Sequence, residues 1–204
     1  MKLYTDHILP RILNLAMGAA PIARERVQCL QDARGVVLEV GFGSGHNLPF
    51  YPNAVERVIA IDPSAVSAKL ARGRIEAAPF PVEYLPLSGE SIDAADASVD
   101  TVVSTFTLCT IPDPSRALSE MRRVLRPDGA FLFLEHGRSP DPAVERWQNR
   151  LNATQQRLFG GCHLNRDMEQ LIVASGFRID NIEKFYGQGP RPFAFLYRGE
   201  ARKG

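Results

Sequence analysis

The stretch that decides the fold is Val36-Val37-Leu38-Glu39-Val40-Gly41-Phe42-Gly43-Ser44-Gly45-His46-Asn47. Its first five residues are apolar apart from one carboxylate. Such a short β-branched run is typical of a strand buried on both faces, as in a parallel sheet. Glycines follow at alternate positions, Gly41, Gly43 and Gly45. Because glycine adopts positive φ easily and has no Cβ, this pattern predicts a tight turn whose backbone can approach a ligand closely.

The carboxylate of Glu39 argues against a pyrophosphate at this turn. The dinucleotide fingerprint G-x-G-x-x-G has its third glycine one residue later, and a pyrophosphate needs N–H donors and a helix N-terminus rather than an acid beside it. A ligand that carries an ammonium group and a sulfonium is compatible with Glu39. The run Glu39–Gly45, E-x-G-x-G-x-G, resembles motif I of the class I S-adenosylmethionine (SAM) methyltransferases.

The composition is that of an ordinary globular chain. It has 204 residues, 45% hydrophobic and 23% charged, with a formal net charge of +1. This length suits one domain with a substantial core, and the charge gives no reason to expect nucleic acid as a partner. No apolar run reaches the roughly 20 residues of a membrane-spanning helix, and no secretory leader is recognisable. The three scattered cysteines fit a reducing compartment better than disulfides or a zinc site, so we expect a cytoplasmic protein without a metal.

A second buried strand is predicted over Glu56–Asp62, and it also ends in an acid. Asp62 follows the glycine turn at about the spacing where nucleotide-binding folds place a carboxylate on ribose hydroxyls. A carboxylate accepts a hydrogen bond from each hydroxyl of such a diol. The alternative is an N-cap, because Pro63 and Ser64 open a helix that runs through Ala77. The preceding glycine turn favours the ribose role.

Strands and helices alternate along the rest of the chain at βαβ spacing. Further strands are predicted over 81–85, 99–105 and 130–134, with a helix over 115–125 and a turn at 126–129. The alternation predicts an α/β fold with a doubly wound, mostly parallel sheet and a ligand site at the C-terminal ends of its strands. We expect residues 1–204 to form a single domain.

Residues 1–33 are expected to form a helical cover in two pieces. Apolar residues recur at helical spacing over 8–17, the run breaks at Gly18–Pro21, and a second piece covers 22–30 with exposed Arg24, Glu25 and Arg26. The cover is either a helix packed on a sheet edge or a lid over the cofactor. Its polar face carries few cations, so strong membrane binding is not expected, and peripheral contact stays open.

Two further segments resemble the class I methyltransferases. The run Asp96–Val103 looks like their motif before strand four, and Arg122–Ala130 resembles the R-V-L-[KR]-P-G-G segment, with Asp128 replacing the first glycine. With motif I, the resemblance covers residues 36–136. It implies a Rossmann-like seven-stranded sheet with a C-terminal antiparallel hairpin over 177–186 and 193–198, and SAM as cofactor with S-adenosylhomocysteine as product. Together with the reasoning above, it gives these cofactor-binding residues: Glu39, Gly41, Gly43, Gly45, Asn47, Asp62, Pro63, Ser88, Gly89, Glu90, Thr105 and Phe106.

Four segments carry a more specific resemblance. They are Gly45–Pro52, Thr107–Ile111, Glu135-His136 and Phe159–Arg166. Together they resemble the methyltransferase-like thiol S-methyltransferases, which methylate small alkyl and aryl thiols, and the match spans most of 36–175 with an insert at 137–165. Animal members have an N-terminal hydrophobic anchor that is not recognisable here, so their microsomal location is not expected. The resemblance implies S-methylation of a small apolar thiol and these substrate contacts: Cys109, Trp147, Cys162, His163 and Tyr186.

The expected chemistry depends mainly on positioning. Methyl transfer from SAM is an in-line displacement, and with a thiol the attacking species is the thiolate, about a few per cent of a free thiol at pH 7. A water-poor pocket favours the reaction. His136 follows the fifth strand, where ligands bind in this fold, so we predict it to be the catalytic base or a substrate contact. Cys109 and Cys162 need not be nucleophiles and are otherwise packing residues.

Three alternatives stay open. An N- or O-methyltransferase of a phospholipid head group or quinone-like molecule would use a basic site formed by Arg138, Arg146, Arg150, Arg157 and Arg166, although such charges usually mark solvated helix faces. A nucleotide-dependent oxidoreductase is disfavoured by the glycine spacing and Glu39. A SAM-binding module without activity is the third alternative. The expected partners are a small-molecule substrate and, if the chain is a homodimer rather than a monomer, a second copy.

Overall fold

The computed structural model describes residues 4–204. Its strands are β1 (Gly35–Val40), β2 (Val55–Ile61), β3 (Val82–Leu85), β4 (Val99–Thr105), β5 (Leu125–His136), β6 (Phe177–Tyr186) and β7 (Phe195–Lys203). Its α-helices are α1 (Leu9–Met17), α2 (Ala20–Leu30), α3 (Ala65–Glu76), α4 (Pro114–Val124), α5 (Pro142–Leu158) and α6 (Met168–Ala174). A π-helical turn covers Tyr4–Ile8, and 3-10 turns cover Leu48–Phe50 and Arg191–Phe193.

The strands form one seven-stranded sheet in the order β3-β2-β1-β4-β5-β7-β6. Strands β1 to β5 run parallel, while β7 pairs antiparallel with both β5 and β6. The predicted α/β fold with a C-terminal antiparallel hairpin is therefore confirmed. The strand order reverses between β1 and β4, so the turns after these two strands meet at the switch point where open α/β sheets bind ligands.

The sheet is buried between two helical layers. Residues of β5 alternate between the layers, because successive side chains of a strand point to opposite faces. Phe131 and Phe133 pack with α4 and α6, whereas Leu132 and Leu134 pack with α2 and α3. This double burial explains why the parallel strands read as continuous apolar runs in the sequence.

Two predicted boundaries were wrong. The Arg126–Gly129 segment, predicted as a turn between helix and strand, is part of β5, where it bulges between the paired residues Leu125 and Ala130. The last strand begins at Phe195 rather than Phe193, because residues 191–193 form a 3-10 turn. A β-bulge accommodates the turn-forming residues Pro127 and Gly129, so the strand continues past them.

The N-terminal cover has the two predicted pieces, α1 and α2, separated at Gly18. Pro21 lies in the first turn of α2 and not in the break, since a missing N–H is harmless there. The predicted apolar face of α1 is only partly buried: Leu9 is 3% exposed, but Ile8 and Ile12 are each 45% exposed. The first three residues of the predicted cover lie outside the described range. None of the helices between Tyr4 and Gly204 has the length and apolar character needed to cross a membrane.

Candidate active site

The glycine turn after β1 is shaped by close backbone approach. Gly41 has a φ of 75°, and a Cβ there would lie 1.9 Å from Oγ1 of Thr107. Glycine at this position therefore allows the turns after β1 and β4 to touch. Gly43, with a φ of 57°, has more open space, since its Cβ would be 3.9 Å from the carbonyl oxygen of Gly41. The turn thus presents bare backbone at the switch point.

Asp62 ties the end of β2 to this turn. Its Oδ2 accepts a 2.8 Å hydrogen bond from the N–H of Gly43, and its Oδ1 accepts one of 2.8 Å from the N–H of Ser64. The cap of α3 is Ser64, whose hydroxyl accepts from Ser67 N–H, so Asp62 is not the N-cap of that helix. Burial raises the pKa of Asp62 despite its two backbone donors. Each carboxylate oxygen retains a lone pair for a further donor.

Glu39 lies beneath the turn with both carboxylate oxygens occupied. Oε1 accepts from Asn47 Nδ2 at 2.9 Å, and Oε2 accepts from the hydroxyl of Tyr51 at 2.7 Å. Glu39 is 1% exposed and Asn47 is completely buried. Burial raises the pKa of Glu39 to about 7, although the Tyr51 and Asn47 hydrogen bonds and the charge of Arg26 favour its ionised form. These hydrogen bonds hold Glu39 and Asn47 beneath the turn, and the predicted contact of these side chains with the cofactor stays a prediction.

Arg26 completes this network and was predicted wrongly as exposed. It is 4% exposed, and its Nη1 donates to Asn47 Oδ1 at 2.6 Å and to Thr105 Oγ1 at 2.8 Å. Its guanidinium also lies 5.5 Å from the ring centre of Phe106. Burial lowers the pKa of Arg26, and the charge of Glu39 opposes that effect. The helical spacing from Ile22 and to Leu30 places Arg26 on the apolar face of α2, which was the sequence signal for its burial.

A second buried carboxylate, Glu135, holds the turn after β4. Its oxygens accept from the hydroxyl of Ser104 at 2.7 Å, from Thr107 N–H at 3.0 and 3.1 Å, and from Cys109 N–H at 3.4 Å. Burial raises the pKa of Glu135. Phe106 begins this turn with a φ of 54°, a strained conformation for a non-glycine residue. Thr105 and Phe106 are thereby fixed beside the glycine turn.

The segment predicted to edge the adenine runs close to the end of β1. A Cβ on Gly89 would lie 2.4 Å from Val40 Cγ1, so this backbone packs directly on the strand. Ser88 is exposed, and its hydroxyl accepts from Glu90 N–H at 3.3 Å. The carboxylate of Glu90 accepts from Asp113 N–H at 2.7 Å, at the start of α4. Pro63 is exposed on the other side of the same sheet edge.

His136 ends β5 as a buried imidazole. It is 6% exposed, and its Nδ1 lies 3.9 Å from Sγ of Cys162. Its Nε2 is fully buried and has no hydrogen-bond partner among the described residues. A buried polar atom without a partner is uncommon and often marks a functional group. His136 therefore combines the predicted position with a free ring nitrogen.

The segment before α6 folds against the turn after β4. His163 N–H donates to the carbonyl of Cys109 at 2.7 Å, and Arg166 Nη1 donates to the carbonyls of Leu108 and Ile111. The ring of His163 meets Gln156 through Nδ1 at 3.1 Å, and burial followed by the charge of Arg166 lowers its pKa. Three predicted contacts, Cys109, Cys162 and His163, thus lie together near His136.

The other two predicted substrate contacts, Tyr186 and Trp147, differ in position. Tyr186 reaches the segment after β5, because its hydroxyl is 2.6 Å from Ser139 Oγ. Trp147 is 54% exposed on the outer side of α5, with the guanidinium of Arg150 5.5 Å from its ring centre. Trp147 is therefore a surface residue in this structure, and its contact with the substrate stays a prediction. Phe159, which follows the end of α5, is 39% exposed.

The N-terminal cover is attached to both sides of this site. The ring of His46, in the glycine turn, contacts Asn14 O of α1 at 2.9 Å through Nε2, and Arg74 of α3 donates to Ser44 O at 2.9 Å. On the other side, the hydroxyl of Tyr4 donates to Leu158 O at 2.9 Å. The cover is therefore attached next to the switch point.

Comparisons with known proteins identify the family of this domain and its fold. A family model for a methyltransferase domain matches residues 38–133. The solved structure of a SAM-dependent methyltransferase from Thermotoga maritima, described as a possible histamine N-methyltransferase, superposes with a TM-score of 0.68 at 20% identity, over 98% of this chain and 100% of that one. The fold and the glycine turn define a class I SAM-dependent methyltransferase.

Three curated relatives assign the chain to a more specific family. Rat thiol S-methyltransferase TMT1B is 32% identical over 182 residues, which are 85% of this chain and 72% of that protein. Human thiol S-methyltransferase TMT1A is 38% identical over 163 residues, 76% of this chain and 66% of that protein. Phosphatidylethanolamine N-methyltransferase of Cereibacter sphaeroides is 36% identical over 137 residues, 64% of this chain and 67% of that protein. The chain belongs to the same family of SAM-dependent methyltransferases as the two thiol S-methyltransferases.

Proposed function

We propose that the chain methylates the sulfur of a small, largely apolar thiol. The observation that carries this proposal is the assembly around His136. The two segments that resemble thiol S-methyltransferases, 107–111 and 159–166, contact each other beside this buried imidazole. The relatives that are named thiol S-methyltransferases, from rat and human, support the same reading.

The residues at the ends of β1 and β2 suit SAM. Gly41 lets the turns after β1 and β4 touch, and the bare backbone of Gly43 leaves room for a ligand. The carboxylate of Asp62 has acceptor capacity left for ribose hydroxyls. We propose that Glu39 and Asn47 act from below by fixing the turn. When bound, SAM supplies a methyl group on a sulfonium, which an acceptor attacks in line.

His136 is proposed to accept the proton of the thiol or to orient it. Its buried Nε2 is available for this, while Nδ1 faces Cys162. Thiolate and sulfonium neutralise each other during transfer, so an apolar, water-poor site favours the reaction. Cys162 and Tyr186 remain proposed borders of the acceptor space. Cys109, only 2% exposed, is proposed to lie behind that border.

The phospholipid alternative has one relative in its favour, the Cereibacter sphaeroides enzyme. Two of the five arginines of its predicted basic site are engaged by other protein groups. Arg138 pairs with Asp167, and Arg166 donates to backbone carbonyls. The other three predicted arginines, Arg146, Arg150 and Arg157, are exposed on α5. Arg138 and Arg166 are therefore already engaged by protein groups, and only the three exposed arginines of α5 remain for a phosphate, which favours the thiol.

Competing acceptors test the proposal directly. The chain would be incubated with SAM and, separately, with small alkyl and aryl thiols, amines, phenols and vesicles of phosphatidylethanolamine, and the methylated products would be identified by mass spectrometry. We expect thiols to turn over fastest, and Arg146→Ala to leave their rate unchanged. Faster turnover of an amine or of the vesicles would replace the thiol assignment with the alternative. S-adenosylhomocysteine binding without any turnover would indicate a SAM-binding module.

The proposal also covers the cellular compartment of the protein and its oligomeric state. We propose a reducing compartment such as the cytoplasm, which the free thiols of Cys29, Cys109 and Cys162 support. We propose a monomer or a homodimer, and size-exclusion chromatography with light scattering distinguishes the two. Sedimentation with anionic vesicles tests for peripheral membrane contact.

A further inference from the structure

Two cysteines from distant parts of the chain lie side by side near His136. Cys109 is in the turn after β4, and Cys162 is in the segment before α6. The N–H of His163 donates to the carbonyl of Cys109 at 2.7 Å, so the backbones of the two cysteine segments are already joined. Arg166 fastens the same segments through the carbonyls of Leu108 and Ile111. Both cysteines are free thiols.

The two thiols differ in exposure. Cys162 is partly exposed, and Cys109 is 2% exposed and packs in the core with α4 and α6. An external reagent therefore reaches Cys162 first, and Cys109 is reached only through Cys162. Cys29 offers an internal comparison, because it is a residue of α2 and is 5% exposed on the opposite side of the sheet.

The surroundings of Cys162 favour its thiolate. The neighbouring Cys109 thiol lowers the pKa of Cys162, and the contact with His136 acts in the same direction, while burial opposes both. The pKa of Cys109 is raised, first by the neighbouring Cys162 and then by burial. The other charged and titratable groups that face the pair are Glu135, His163 and Arg166. By contrast, burial raises the pKa of Cys29 to about 12.

We propose that Cys162 and Cys109 form a redox pair in which Cys162 attacks small disulfides and Cys109 resolves the product. In the first step the Cys162 thiolate attacks a disulfide R–S–S–R, so that a Cys162–S–S–R bond forms and RS⁻ leaves. In the second step the Cys109 thiol gives its proton to the first RS⁻, and its sulfur attacks Sγ of Cys162. The Cys109–Cys162 disulfide forms, the Cys162–S–R bond breaks, and the second RS⁻ leaves and takes a proton from water. The two cysteines are oxidised to one disulfide, and the small disulfide is reduced to two thiols.

This pair would act as a switch on the neighbouring imidazole. Oxidation removes the Cys162 thiolate from Nδ1 of His136 and pulls the 107–111 turn toward residue 162. Both changes alter the proposed acceptor side and leave the Asp62 side untouched. We therefore expect methyl transfer to fall and the affinity for S-adenosylhomocysteine to persist on oxidation, a consequence that rests on the proposed function. The formation of the Cys109–Cys162 disulfide does not rest on the proposed function.

Mass spectrometry of the whole chain with bis(2-hydroxyethyl) disulfide, in the absence of SAM, tests the pair. We expect the wild type to lose two hydrogen atoms and to yield a peptide in which Cys109 is linked to Cys162. Cys109→Ser should stop at a mixed disulfide on Cys162. Cys162→Ser should leave Cys109 unmodified, and the matched control Cys29→Ser should behave as the wild type. Cys162 should react roughly tenfold or more faster than Cys29.

Several results would overturn the proposal. A mixed disulfide that persists on Cys162 of the wild type would show that Cys109 does not resolve it. Equal rates at Cys29 and Cys162 would remove the special role of the pair, as would unchanged oxidation of Cys162→Ser. The peptide map of the wild type decides the matter even where Cys109→Ser fails to fold. His136→Asn provides a further measurement, since loss of its contact should slow the modification of Cys162.

Discussion

Arg26 connects the helical cover to both turns of the site, so its removal should be costly. In Arg26→Met the side chain keeps a similar apolar stem but loses the two hydrogen bonds to Asn47 Oδ1 and Thr105 Oγ1. Hydrogen bonds to charged groups contribute about 1.5–3 kcal/mol each, which gives about 3–6 kcal/mol for the pair. The burial of the guanidinium opposes this gain, and its Nε has no partner among the described residues. We expect a net loss of about 2–4 kcal/mol.

Thermal unfolding is the assay for Arg26→Met. For a chain of this length, a loss of about 2–4 kcal/mol lowers Tm by roughly 5–15 °C. Arg24→Met is the matched control, because it removes the same side chain from an exposed position of α2 and should change stability by less than about 0.5 kcal/mol. Calorimetry with S-adenosylhomocysteine should also show weaker binding for Arg26→Met, since Asn47 loses a support of the glycine turn.

A double-mutant cycle tests whether Arg26 and Glu39 act through the same network. Both residues bond to Asn47, so Arg26→Met and Glu39→Gln should be non-additive by about 0.5–3 kcal/mol. Two results would refute the reasoning. One is a Tm of Arg26→Met equal to that of Arg24→Met, and the other is strict additivity in the cycle.

Three further predictions concern the ends of β2 and β5 and the glycine turn. Asp62→Ala should weaken SAM binding by about 1.5–3 kcal/mol, and an unchanged calorimetric affinity would remove its ribose role. His136→Ala should slow thiol methylation by about 10²-fold or less, with a deficit that shrinks as pH approaches the pKa of the thiol, and a pH-independent deficit would exclude the base role. Burial lowers the pKa of His46 from 6.5 to about 4, so its neutral form contributes stability above pH 6.5 that is lost as pH falls toward 4. Thermal unfolding of His46→Gln should therefore depend less on pH in that window than the wild type does, and equal slopes would contradict the prediction.

The fold was predictable because its signals are local. Each parallel strand is buried on both faces and reads as an apolar run, so β4 was predicted to the residue at 99–105. The failures arose where tertiary contacts override a local signal. The Arg126–Gly129 segment has the composition of a turn, yet pairing on both sides of it keeps it within β5.

The site was only partly predictable for the same reason. Gly41, Asp62 and His136 could be proposed as site residues because strand ends and glycine spacing are visible in the sequence. The sequence does not show which polar side chains share a buried network. Arg26 and Glu135, for example, lie far apart along the chain, with most strands of the sheet between them. Nor does it show that Trp147 points outward, because a single aromatic residue on an amphipathic helix has no distinctive pattern.

The two buried glutamates illustrate how this site divides its tasks. Glu39 holds the turn after β1 through side chains, and Glu135 holds the turn after β4 through Ser104 and backbone N–H groups. Burial raises the pKa of both, so a proton is bound more tightly in the folded than in the unfolded chain. For Glu39, with a pKa of about 7, the resulting stability is complete below pH 4.5 and is lost as pH rises through 7, opposite in sign to His46. Burying these acids is unfavourable by itself. In return, these acids fix the two turns. Asp62, which is partly exposed, and Nε2 of His136, which has no hydrogen-bond partner in the described part of the chain, are positioned against these turns for their proposed ligands.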